Sequence, residues 1–289
     1  MNGFARFAYA LILPAMRDAL GWDYSASSWL NTANSLGYAA GGLSGMLLLT
    51  RIRASQLFVY GLASAVVFIG LVGLTRDLSL MLLWRFLAGV GSAWTFACGG
   101  ALVAARYSAD PQKAGTAISI FYAGGGLGIV LSGLAVFPVL SGGMTWSNAW
   151  LTLGFVGVLL AVMPILTAVR LEGATNKSKL SSLAFPWRRY KPILCAYFLF
   201  GVGYIVYMTF VIAWLKEMNL GVLVSTSLWI VMGLAAMASG WAWRKPMGSW
   251  LPTHTYAAAT MCTAIGSAIP IVFRNEAALV VSEIGRAHV

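Results

Sequence analysis

Long apolar segments alternate with short polar interruptions along almost the whole chain. Most of these segments reach about 18 residues or more, the length at which an α-helix crosses the hydrocarbon core of a membrane. We predict nine spanning helices and the start of a tenth at Ala277, and the nine cover residues 4–16, 28–49, 56–74, 80–105, 115–140, 149–169, 193–215, 222–243 and 253–273. The pattern therefore predicts an all-α integral membrane protein.

The longest polar interruption covers residues 170–192 and follows six predicted helices. We therefore predict an N-terminal six-helix bundle over residues 1–169, a central loop over 170–192 and a partial second bundle over 193–283. Between Arg6 and Arg17 the first segment holds only ten residues, about 15 Å of helix at 1.5 Å per residue. We expect this first helix to be incomplete.

The last six residues have an unusual origin. Residues 284–289 read Ile-Gly-Arg-Ala-His-Val, which is the translation of a common sequencing adapter. We therefore expect this tail to be non-native, and we assign no function to Arg286 or His288.

Composition and charge place the chain in a membrane. The sequence is 60% hydrophobic and 9% charged, against roughly one quarter charged residues in soluble domains. The loops on the side of the central loop hold twelve Lys and Arg residues and the opposite loops hold four. Since cytoplasmic loops are enriched in these residues, we predict that the N-terminus and the central loop lie in the cytoplasm. The net charge of +11 then reflects topology and anionic lipid, not nucleic-acid binding.

Two arginines, Arg6 and Arg85, lie inside predicted helices, whereas all eight carboxylates fall in loops or at helix ends. A charge within the bilayer is costly and usually functional, and a guanidinium pairs well with a carboxylate or phosphate. One hypothesis is that Arg6, Arg85 or both face a central cavity and bind an anionic substrate. The alternative is that they bond helix-end carbonyls, or that Arg85 reaches the interface by snorkelling.

Polar side chains accompany these arginines. Asn31, Asn34 and Tyr38 share one face of the second helix, and Tyr9 and Tyr207 hold corresponding positions in a short similarity between residues 3–10 and 201–208. Polar groups in hydrocarbon point to a neighbouring helix or a wet cavity, so either substrate contact or interhelical hydrogen bonding fits. The predicted substrate-binding or coupling residues are Arg6, Tyr9, Asn31, Asn34, Tyr38, Arg85, Tyr204 and Tyr207.

Catalytic, cofactor and metal sites find no support in the sequence. Cys98, Cys195 and Cys262 lie in separate apolar segments, and His254 has no acid or cysteine partner in view. An enzyme in the bilayer needs a nucleophile–base pair or clustered metal ligands. We predict no enzymatic activity, no cofactor and no metal.

Small residues recur at four-residue spacing in two helices. Gly37, Gly41 and Gly45 form one series, and Gly124, Gly128 and Ser132 form another. This small-xxx-small pattern lets membrane helices approach closely, so both series are predicted to be packing faces. Tryptophans are enriched at membrane–water interfaces, and Trp146 and Trp150 are predicted to be such anchors.

The segment Arg85-x-x-Ala-Gly-x-Gly-Ser-Ala93 resembles the fourth-helix signature of the major facilitator superfamily, with Ala88 in place of the usual Gln. Residues 3–16, 29–38 and 200–210 resemble the first, second and seventh helices of its YbfB/YjiJ-type branch. The resemblance implies twelve helices in two six-helix bundles, of which this chain would hold nine to ten. Leu49 replaces the usual gate Asp after the second helix, which puts the family's charge-relay gate in doubt but not the fold. No Pro follows the Gly124 cluster, and its absence argues against multidrug efflux.

Together these features and the resemblance predict a secondary active transporter that moves a small solute across the bacterial inner membrane by alternating access. We predict that the solute is an organic anion, because the intramembrane charges are cationic. The resemblance implies a monomer coupled to protons, although the lack of a buried carboxylate weakens the coupling. The alternatives are a non-transporting membrane sensor or scaffold with a transporter fold, or efflux of neutral or drug-like compounds.

Overall fold

The computed structural model describes residues 3–170, 187–273 and 275–287, and within these ranges the regular secondary structure is entirely helical. Seven of the helices are long and apolar enough to cross a membrane. After a π-helical turn at Gly3–Phe7, the helices are α1 (Tyr9–Leu20), α2 (Tyr24–Leu48), α3 (Ala54–Val72), α4 (Leu78–Arg106), α5 (Pro111–Ser141), α6 (Trp146–Arg170), α7 (Trp187–Glu217), α8 (Val222–Ala242), α9 (Arg244–Ser249), α10 (Pro252–Val272) and α11 (Glu276–Arg286).

Each predicted segment lies on one or more of these helices, with ends that differ by up to six residues. The largest difference is at α7, which begins at Trp187 although residues 187–192 were predicted to be loop. A helix satisfies its own backbone hydrogen bonds, so it continues beyond the apolar stretch through exposed polar residues such as Arg188 and Lys191. The rest of the predicted central loop, residues 171–186, lies outside the described residues.

The first predicted helix is broken in two. The π-helical turn at Gly3–Phe7 is followed by α1 from Tyr9, and this turn packs closely on α5. A Cβ at Gly3 would collide with the carbonyl oxygen of Gly125, and a Cβ at Gly128 would lie 2.8 Å from the nitrogen of Phe4. The two glycines thus fix the position of the turn that carries Arg6.

Helices α2 and α4 pack through the predicted glycine series. A Cβ at Gly37 would collide with the carbonyl oxygen of Phe86, and one at Gly41 would lie 2.6 Å from that of Val90. At Gly89 of α4, a Cβ would meet the carbonyl of Asn34. The packing interpretation is confirmed for α2, and the close approach holds Arg85 against α2.

The contact between α5 and α8 joins the two parts of the chain. A Cβ at Gly126 would lie 2.5 Å from the Gly233 carbonyl oxygen, and Trp229 donates a 3.1 Å hydrogen bond to the hydroxyl of Ser132. Gly124, by contrast, has open space where its Cβ would be. The packing prediction is therefore wrong for Gly124 among the described residues. The face of α5 that meets α8 contains Gly126 instead.

Valine at position 37 is expected to destabilise the protein strongly, since its side chain forces α2 away from α4 at the Phe86 carbonyl. Overpacking in a core typically costs ~1–3 kcal/mol. Gly42→Val is the matched control, because Gly42 lies on the same helix with open space around it. The measurement is the apparent melting temperature in detergent, and equal values for the two variants would contradict the packing described here.

Candidate functional site

A narrow crevice lies between the first two helices and α7. One wall comes from the π-helical turn, α1 and α2, and the other from α7. Its volume is about 10 Å³, which is room for roughly one water molecule. The lining residues are Arg6, Phe7, Tyr9, Ala10, Asn31, Ile205, Met208 and Thr209. The amide of Asn31 donates a hydrogen bond to the Thr209 hydroxyl across the crevice.

Arg6 is the cation of this crevice. Its guanidinium carbon lies 4.6 Å from the centre of the Tyr38 ring and 5.6 Å from that of Phe7. In residues 3–170, 187–273 and 275–287, no carboxylate forms an ion pair with Arg6. The side chain is half-buried, and its guanidinium lies against aromatic faces.

Arg85 lies behind the crevice rather than in its wall. It is 0% exposed, and its Nη2 donates a 3.4 Å hydrogen bond to the carbonyl oxygen of Arg6. Its guanidinium carbon lies 5.5 Å from the Tyr9 ring centre and 5.3 Å from that of Trp150. The snorkelling alternative is wrong, and the cavity-facing alternative does not describe Arg85 in this conformation.

Tyr9 and Trp150 form the box around Arg85. Their rings stack with centres 6.2 Å apart. The Tyr9 hydroxyl donates a 2.8 Å hydrogen bond to the carbonyl of Ser27, and the Trp150 indole lies 3.3 Å from the sulfur of Met16. Trp150 is 0% exposed, so its prediction as an interface anchor is wrong. Its contact with the Arg85 cation, which lies beside the stacked pair of rings, accounts for its burial.

The other predicted residues divide between two places. Asn34 is fully buried and donates a 3.0 Å hydrogen bond to the backbone carbonyl of Arg85. The Tyr204 ring meets Phe7 edge-on with centres 6.1 Å apart. Tyr207 faces α11 instead, where its hydroxyl lies 3.5 Å from that of Ser282. The predicted set therefore converges on Arg6, with Asn34 behind the crevice and Tyr207 outside it.

Five of the eight crevice residues were absent from the sequence-based site, and they are Phe7, Ala10, Ile205, Met208 and Thr209. Thr209 pairs with Asn31, and Phe7 lies between Arg6 and Tyr204. A polar residue in a membrane helix is expected to point inward, so Thr209 could have been found from the same rule that found Asn31. Phe7 carries no such signal, because an aromatic residue in an apolar segment has no preferred face.

A second polar cluster, which we term the clasp, joins the ends of α1, α2 and α7. Lys216 forms an ion pair with Asp18, and Arg17 lies 4.0 Å from the Glu217 carboxylate. Tyr24 donates a hydrogen bond to Glu217, and the Arg17 guanidinium carbon lies 3.6 Å from the Tyr24 ring centre. The clasp members are Arg17, Asp18, Tyr24, Lys216 and Glu217. The sequence analysis missed it, although a cation–anion dipeptide ends both α1 and α7.

Long apolar helices around a polar crevice, with the crevice where two sets of helices meet, define a membrane transporter fold. Comparison with known sequences places the chain within that class. The family described as "Uncharacterised MFS-type transporter YbfB" matches residues 1–287. The chain therefore belongs to the YbfB-type family of the major facilitator superfamily, and it is a multi-pass membrane protein.

Known relatives agree with this assignment. The uncharacterized MFS-type transporter YceJ of Bacillus subtilis strain 168 is 28% identical over 249 residues, which are 81% of this chain and 61% of that protein. The chain thus spans 61% of the length of this curated relative.

Solved structures confirm the predicted all-α transporter fold. The nucleoside transporter NupG has a TM-score of 0.70 at 15% identity, covering 99% of this chain and 77% of that one. A crystal structure of the peptide transporter POT in complex with alafosfalin has a TM-score of 0.60 at 16% identity, with coverages of 99% and 77%. An inward-facing bacterial homologue of Spinster has a TM-score of 0.56 at 14% identity, covering 99% and 71%. These identities support the fold alone.

Proposed function

We propose that the protein is a secondary active transporter of small organic anions in the bacterial inner membrane. The observation that carries this proposal is the Arg6 guanidinium in the wall of the crevice, with aromatic faces on one side and no carboxylate paired with it among the described residues. An unpaired cation in a membrane protein is costly. An anionic solute supplies the missing charge and pairs with the planar fork of Arg6.

The remaining predicted residues take roles around Arg6. Asn31 and Tyr38 belong to the binding wall through the crevice and the Arg6–Tyr38 contact. Arg85 acts as a positioning residue, because its hydrogen bond holds the carbonyl of Arg6. Asn34 and Tyr9 hold Arg85 from behind.

Alternating access is supported by the size of the crevice in this conformation. The crevice of about 10 Å³ is too small for an organic anion, so binding requires α7 to move away from α1 and α2.

The topology and the driving force belong to the same proposal. The excess of Lys and Arg on the side of the central loop supports a cytoplasmic N-terminus and a periplasmic clasp. Among the described residues, no carboxylate lines the crevice. A proton, where it is coupled, is then carried by the solute or by a group elsewhere in the whole protein.

The test is counterflow in liposomes with the whole protein that contains this chain. The panel holds small carboxylates, inorganic phosphate, amines and neutral solutes. Exchange of carboxylates or phosphate, with no exchange of amines, is the expected result. Exchange restricted to neutral or cationic solutes would contradict the anion proposal and favour the efflux alternative. No exchange of any class, from protein that is folded in the liposomes, would favour the sensor or scaffold alternative.

Arg85→Met is expected to lower anion affinity roughly tenfold while the protein stays folded. A hydrogen bond from a charged donor contributes ~1.5–3 kcal/mol, and 1.4 kcal/mol is a tenfold change in affinity. Replacement of a buried charge by an apolar residue of similar volume is often neutral for stability. Affinity and apparent melting temperature are measured on the same preparation, with Arg106→Met at the exposed end of α4 as the control.

A double variant tests whether Arg85 acts by positioning Arg6. If Arg85 acts through Arg6, the double variant Arg6→Gln with Arg85→Met binds anions no more weakly than Arg6→Gln alone, because interacting residues are not additive. Additive losses would instead assign Arg85 a direct contact with the solute.

A further inference from the structure

Aromatic residues continue from the crevice along one face of α7. Tyr197, Phe200 and Tyr204 lie three and four residues apart and so share one face of the helix. The rings of Phe200 and Tyr204 are stacked with centres 5.6 Å apart, and those of Tyr197 and Phe200 lie 6.3 Å apart. We term these three residues the aromatic row.

The row ends at the cation. Tyr204 meets Phe7 edge-on, and Phe7 lies against the Arg6 guanidinium at 5.6 Å. A solute that approaches Arg6 along this face of α7 therefore passes over aromatic faces before it reaches the charge.

The crevice itself sets where the body of a solute can lie. In this conformation its volume of about 10 Å³ leaves room only for a water-sized group beside Arg6. Once α7 has moved as proposed above, the body of a solute whose carboxylate is on Arg6 lies against the aromatic row of α7. A flat ring stacks on such a surface, and each aromatic pair contributes binding beyond its buried area.

We propose that the transported anion is an aromatic carboxylate, with its carboxylate on Arg6 and its ring against Tyr204 and Phe200. This inference rests on the proposed function and narrows it to a substrate class. The positive charge of Arg6 disfavours aromatic cations such as aryl ammonium ions, although their rings would stack equally well. Neutral rings lack the charge that Arg6 pairs with.

The test compares benzoate with cyclohexanecarboxylate in competitive counterflow, using the whole protein in liposomes. The two probes share the carboxylate and nearly the same size, and only one has a π-system. In wild type, benzoate is expected to bind roughly tenfold more tightly. In Tyr204→Leu the ratio is expected to fall to about one, because the benzoate ring loses its stacking partner. Tyr204→Phe keeps the ring and is expected to keep the ratio.

Tyr60→Leu is the matched control, because Tyr60 is 56% exposed on α3 and lies outside the row. If Tyr204→Leu does not fold, Phe200→Leu takes its place in the comparison. Equal affinities for the two probes in wild type would overturn the aromatic inference and leave the anion proposal standing. Failure of both carboxylates to bind, while a neutral or cationic solute exchanges, would overturn the proposed function and this inference with it.

Discussion

Arg6→Gln is expected to lower the affinity for small carboxylates by roughly a hundredfold. The substitution keeps hydrogen-bonding capacity in the crevice and removes the charge that lies 4.6 Å from the Tyr38 ring centre. Truncation of one partner of a buried charge pair costs ~2–5 kcal/mol. Arg6 is only half-buried, so the low end applies, and ~2.7 kcal/mol is a hundredfold change.

The Arg6→Lys variant separates charge from geometry. It keeps the positive charge and loses the planar fork, which pairs with a carboxylate through two parallel hydrogen bonds. We therefore expect an intermediate affinity, roughly tenfold below wild type. Arg76→Gln is the control, since Arg76 is exposed between α3 and α4. The measurement is the inhibition constant of each carboxylate in counterflow.

An unchanged affinity in Arg6→Gln would contradict the role of Arg6 and, with it, the anion proposal. The loss of affinity in Arg6→Gln must be confined to anionic solutes. A variant that loses neutral and anionic solutes equally has lost the fold of the π-helical turn, and the apparent melting temperature reports that case.

The helices could be read from the sequence because the bilayer imposes a simple rule. An apolar segment of sufficient length has no stable alternative to a spanning helix, since its backbone groups find no water in hydrocarbon. This rule located α3, α4 and α8 to within two residues at each end. It failed at the start of α7, where the helix continues through polar residues above the membrane and hydropathy carries no signal.

The site was harder to predict, because it depends on helix rotation and on irregular backbone. Arg6 and Arg85 had the same sequence signal, a cation in an apolar segment. Their separation into a crevice residue and a buried residue follows from the π-helical turn at Gly3–Phe7 and from the glycine contacts of Gly37 and Gly89. The spacing of residues along the sequence shows which of them share a helical face. It does not show which neighbouring helix that face meets.

A reversible cross-link across the clasp is expected to abolish at least nine-tenths of transport. The two cysteines replace Asp18 and Lys216, which form an ion pair between the ends of α1 and α7. A short bis-methanethiosulfonate reagent joins them, because a direct disulfide requires Cα atoms closer than ~7 Å. Exposed Cys195 and the other native cysteines are first replaced by Ser or Ala. Transport is measured before cross-linking, after it and after reduction.

The size of this effect follows from what the clasp holds in place. Its ion pairs are partly exposed, with Asp18 at 68% and Glu217 at 58%, and such pairs contribute only ~0–1 kcal/mol each. Contacts this weak can open and close in each cycle, so loss of one charge shifts the populations only several-fold. A covalent link removes the open state altogether. The control is the same cross-link between positions 110 and 113, whose ion pair lies at the start of α5. Full transport through a cross-linked clasp would mean that α1 and α7 stay together throughout the cycle.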